Sequence, residues 1–73
     1  MIKVIIYDPI YGDVNNPLAT LLFDEKMFPN EGDNITIDNI KYVVRKKEYI
    51  INEDNDYNVA LQVRKYISNE GGY

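Results

Sequence analysis

Cysteine and histidine are both missing from this 73-residue chain, and tryptophan with them. With no thiol and no imidazole there is no disulfide, no thiolate nucleophile, no imidazole base and no Cys/His metal site. The one serine, Ser68, lies close to the C-terminal end of the sequence and has no base to activate it. Carboxylates alone can form an acid–base pair of the glycosidase kind, but such a pair needs a cleft, and a domain of this size offers little more than a groove. The expectation is a non-enzymatic protein with no cofactor and no metal. A cysteine-free chain also fits a cytoplasmic setting. No stretch approaches the ~20 apolar residues of a membrane span, and the apolar run after Met1 ends at Asp8-Pro9, too short for a signal-peptide core. A cytoplasmic location away from any membrane is expected.

Charge and composition narrow the classes further. Twelve acidic residues against eight basic ones leave a net charge of −4, which argues against a generic nucleic-acid binder. Ile, Asn, Tyr and Lys together make up 32 of the 73 residues. All four have AT-rich codons, which points to a low-GC Gram-positive bacterium or one of its phages or plasmids. The length fits one small domain over residues 1–73, with a flexible tail expected from about residue 68. A core of this size contributes only ~3–5 kcal/mol net, so a monomer or a homodimer is expected.

Apolar periodicity predicts five strands. Ile2, Val4 and Ile6 alternate with Lys3, Ile5 and Tyr7, giving a first strand with one strongly apolar face. Two prolines, a glycine and four Asx residues make Asp8 to Pro17 a loop. Leu18 to Phe23 is apolar except for Thr20 and reads as a strand buried on both faces, a short helix being the alternative. Phe28-Pro29-Asn30-Glu31-Gly32-Asp33 is a turn that feeds the alternating strand Asn34 to Ile37. Asp38-Asn39 is a tight hairpin turn, since Asx residues tolerate positive φ, and Ile40 to Asn52 is a long strand. In an unbroken strand Lys46 and Glu48 would point inward with Tyr42 and Val44, so a bulge near Arg45-Lys46-Lys47 is expected. Tyr57 to Ile67 alternates strictly at its start and is read as the fifth strand; a C-terminal helix over residues 57–69 is the alternative. The fold class expected is a five-stranded antiparallel SH3-like barrel or curved sheet.

Two local patterns invite chemistry. Asp54-Asn55-Asp56-Tyr57-Asn58 imitates the opening of a calcium loop, but its sixth position is Val59 in place of Gly and its twelfth is Lys65 in place of Glu. An acidic hairpin turn is the better reading. Positive charge, by contrast, gathers in the last two strands while the acids lie in loops. If Asn52 and Tyr57 close the last hairpin, Arg45 faces Arg64 and Lys47 faces Gln62. Alternation then gathers Lys41, Arg45, Lys47, Tyr49, Arg64 and Tyr66 on one outward face. Such a face could dock an acidic protein surface, grip a single-stranded nucleic acid, or be an ordinary solvated sheet face.

Phe28-Pro-x-x-Gly32-Asp33-x-Ile35-x-Ile37, followed by Tyr42-x-Val44, resembles the core of small uncharacterised SH3-like β-barrel proteins of Gram-positive phages and mobile elements. The resemblance covers about the middle third of the chain and transfers no functional residues. It implies a phage-type accessory protein: a binder, an inhibitor of a host protein, or a minor structural part. The reading expected is an interaction module with a protein partner. Nucleic-acid binding comes second, and a self-associating subunit that pairs through a free sheet edge or the first strand third.

Overall fold

The computed structural model describes residues 1–24 and 26–66. Five strands form one curled sheet: β1 (Ile2–Tyr7), β2 (Ala19–Phe23), β3 (Asn34–Ile37), β4 (Ile40–Ile51) and β5 (Tyr57–Lys65). They lie in the order β2-β1-β5-β4-β3 and make a half-barrel whose edge strands are β2 and β3. The fold is small, mainly β and barrel-like. Tyr57–Lys65 is a strand, so the helix considered for residues 57–69 does not form there. Ile67 and the tail expected from residue 68 lie outside the described residues. Among the described residues, no helix is long and apolar enough to cross a membrane.

One pairing departs from the antiparallel expectation. β1 and β5 run parallel, with Val4 beside Val59 and Tyr7 beside Gln62, while the other three pairings are antiparallel. The connection from β2 to β3 takes the chain from one edge of the sheet to the other. β3, β4 and β5 then follow as a meander that returns to β1. A parallel neighbour requires a long crossover, and the residues between β1 and β5 supply it.

The core lies on the concave face. Ile2, Val4, Ile6, Tyr42, Val44, Val59, Leu61 and Val63 are buried together, with Phe23, Phe28, Ile35, Ile37 and Tyr57 packed against them. The period-2 alternation of β1 puts Ile2, Val4 and Ile6 inward, as expected. β2 differs from its expectation. Its residues are exposed or half-buried, because it has a neighbour on one side only and the other lies open.

The turns follow local chemistry. Asp38 and Asn39 have φ of 51° and 68°, the two successive left-handed residues of a two-residue hairpin whose twist suits the flanking strands. Gly32 has φ +92° and lets the Pro29–Asp33 turn close. Its N–H donates to the Val44 carbonyl at 2.9 Å, and the Val44 N–H donates to the Asp33 carbonyl at 2.9 Å. The β3–β4 ladder therefore reaches Val44 and stops. One residue later β4 bulges, with the register against β5 shifting between Val44 and Lys46. This is the bend that the charged run Arg45-Lys46-Lys47 implied.

Candidate interaction surface

The bulge decides where the basic side chains go. Val43 lies across from Arg64 and Val44 from Val63; Arg45 is the inserted residue, and Lys46 then faces Gln62. Arg45 therefore does not oppose Arg64, and Lys47 lies across from Leu61 instead of Gln62. One extra residue reverses the facing of everything beyond it. The single outward face expected for Lys41, Arg45, Lys47, Tyr49, Arg64 and Tyr66 is thus divided.

Lys47 and Tyr49 fall on the core side, paired with the buried residues Leu61 and Val59. The Lys47 ammonium donates to Asn30 Oδ1 at 2.6 Å. It sits 4.9 Å from the Phe28 ring centroid and 5.7 Å from that of Tyr49. Tyr49 meets Tyr57 edge-on, centroids 5.7 Å apart at 66°. Lys47 thereby ties the Phe28–Asp33 turn to β4, and its charge is engaged within the fold. Arg45 is exposed at the bulge itself.

Lys41, Arg64 and Tyr66 remain together on the convex face. The Tyr66 N–H donates to the Lys41 carbonyl at 2.9 Å, which carries the β4–β5 ladder one step past Lys65. The Lys41 ammonium lies 4.5 Å from the Tyr66 ring centroid, a contact worth ~0.5–1 kcal/mol at an exposed site.

The parallel pairing brings a further group alongside. Because Tyr7 is level with Gln62, the loop that follows β1 opens beside Arg64. An open depression of about 210 Å³ there is lined by Asp8, Ile10, Tyr11, Arg64 and Lys65. Asp8 is buried and organises the loop. Its Oδ1 accepts the Ile10 N–H at 3.0 Å, and its carbonyl accepts the N–H groups of Tyr11 at 2.9 Å and Gly12 at 2.8 Å. This Asx turn holds Ile10 and Tyr11 out toward solvent, 64% and 76% exposed. Asp13 repeats the device, its Oδ1 accepting the N–H groups of Asn15 at 2.8 Å and Asn16 at 3.0 Å. Gly12 is required between the two turns, because a side chain there would collide with the Asn16 carbonyl oxygen.

Sequence reasoning missed Asp8, Ile10 and Lys65 as parts of this surface. The local signal existed, an Asx residue closing a strand ahead of Pro9, but only the non-local β1–β5 pairing places that loop next to Arg64. The acidic segment Glu53–Asp56 joins β4 to β5; Tyr57 and Asn58 of the calcium-like pattern already belong to β5. No family model, curated protein or solved structure matches this chain.

Proposed function

We propose that this chain is a non-enzymatic interaction module that binds an acidic protein surface through Lys41, Arg64, Lys65 and Tyr66 together with Ile10 and Tyr11. The observation that carries this reading is one open depression lined by two cations, Arg64 and Lys65, and two exposed side chains, Ile10 and Tyr11, with Lys41 over the Tyr66 ring at the adjoining strand ends. Among the described residues the one acid lining the depression, Asp8, is buried and bonded to the backbone, so that lining presents positive charge on a chain of net charge −4. Interfaces favour aromatic and arginine anchors inside a charged rim. Tyr11 and Arg64 would be those anchors here, with Lys41 and Lys65 steering the encounter. The AT-rich composition and the resemblance of the middle third support a phage or mobile-element accessory protein acting in the bacterial cytoplasm on a host protein, by occupying the surface it binds.

The stacking of Lys41 on Tyr66 favours a second reading, a single-stranded nucleic acid held by its phosphates and bases. Affinity for an oligonucleotide would then fall steeply between 50 and 200 mM salt. Capture from a bacterial lysate separates the readings. Lys41→Glu combined with Arg64→Glu should lose a protein partner that Lys3→Glu retains. Equal capture by both variants sinks the proposed surface.

A further inference from the structure

β2 has the composition of a central strand and the position of an edge strand. Ala19–Phe23 contains no charge, no proline and no glycine, and its register against β1 is unbroken over five pairs. Natural edge strands are usually blunted by charges, prolines, bulges or brevity, because an open edge templates further pairing. The other edge of this same sheet differs in what it exposes: β3 turns its polar Asn34 and Thr36 to solvent and keeps Ile35 and Ile37 half-buried. β3 is also one residue shorter than β2, and Asp33 and Asp38 bracket it on both sides. β2 also exposes leucine on both faces: Leu21, on the core side across from Val4, is 44% exposed, and Leu22, on the convex side across from Lys3, is 65% exposed. Thr20 is the one polar residue of the strand, whereas the solvated face of a sheet alternates polar residues along its length.

We propose that β2 is the homodimer strand of this protein, pairing antiparallel with β2 of a second copy about a two-fold axis at Leu21. The strand is self-complementary in that alignment. Leu21 meets Leu21 of the other copy on the axis, and away from it Thr20 meets Leu22 and Ala19 meets Phe23, a smaller side chain across from each larger one. Asp24 falls across from Leu18, and no like charges are set opposite each other. The two curled sheets become one continuous ten-stranded sheet in which β2 is central, which removes the conflict between its sequence and its place. A second copy suits the strand better than a foreign peptide, because the alignment needs no partner of different composition and closes as a symmetric pair. The cations Arg64 and Lys65 lie on β5, two strands from the axis.

Sedimentation or light scattering across concentration tests this. The wild type should form a particle of twice the 8.5 kDa chain mass. Leu22→Lys and, separately, Thr20→Lys should weaken the dimer ~10-fold or more while keeping the far-UV β signal, since both side chains are exposed. Should either lysine variant fail to fold, a crosslink decides. The chain has no cysteine, so Leu21→Cys should oxidise to a covalent dimer, whereas Thr36→Cys on β3 should not. A chain that stays monomeric up to a concentration of about 1 mM overturns the proposal. So does a dimer that survives both lysine variants, or a crosslink that forms as readily from position 36.

Discussion

Leu61→Ala tests how this small half-barrel is held together. Leu61 is 0% exposed in the middle of β5, the strand flanked by β1 and β4. Ile6 lies beside it on β1 and Lys47 across from it on β4. Hydrogen-bonded ladders on both sides leave the backbone little room to collapse into the space left by the removed carbons. The loss should therefore fall in the upper part of the range for buried leucine, about 3–5 kcal/mol. A 73-residue domain has only ~4–11 kcal/mol in total, and small cores commonly supply ~3–5 kcal/mol. Leu61→Ala should then be largely unfolded at 25 °C, or lose about 12 °C or more of Tm at ~4–8 °C per kcal/mol. Leu22→Ala, at an exposed position, should change stability by less than ~0.5 kcal/mol in the monomer. Urea titration followed by tyrosine fluorescence and circular dichroism, at one low protein concentration, measures both. A Leu61→Ala variant that loses less than about 1 kcal/mol would show that the concave face is not the core and would sink the reasoning.

Three further outcomes follow from single positions. Gly32→Ala meets nothing within 4 Å but must adopt φ +92°, so thermal unfolding should show a loss of ~1–3 kcal/mol from backbone strain alone. Asn39→Gly, at φ 68°, should be neutral or stabilising in the same assay, whereas Asn39→Val should destabilise by ~1–2 kcal/mol; equal effects would mean the hairpin turn is not left-handed. Lys47→Met keeps the apolar stem while removing the ammonium that joins Asn30, Phe28 and Tyr49. It should cost ~1–2 kcal/mol and speed amide exchange at Gly32, and unchanged exchange there would show that Lys47 does not fix the turn.

Much of the fold was legible in the residues because strands are local objects. Alternation at Ile2, Val4 and Ile6, the Asx turn at Asp38-Asn39 and the clash posed by Lys46 and Glu48 each had one physical solution, and strand limits and the bulge followed. What was not legible depends on pairing between distant segments. Nothing local tells β1 that its neighbour is the parallel β5, so the contact of the Asp8–Tyr11 loop with Arg64 stayed hidden. Nothing local tells Leu18–Phe23 that it lies at an edge; its apolar composition indicated burial on both faces, which the single chain does not provide. The candidate site was half legible for a related reason. The bulge was placed within a residue or two, but parity demands its exact count. Arg45 as the inserted residue keeps Lys41, Arg64 and Tyr66 together and sends Lys47 and Tyr49 to the other face.

The central claim is that the surface around Arg64 and Tyr11 meets the partner. The most direct measurement places a photo-crosslinking phenylalanine analogue at position 11 and, separately, at the exposed position 27 on the β2–β3 connection, with irradiation in a bacterial lysate. The account predicts an adduct with an acidic protein from position 11 that is absent from position 27 and disappears when Arg64→Glu is added. Equal adducts from both positions, or an adduct at position 11 that Arg64→Glu leaves intact, would contradict it.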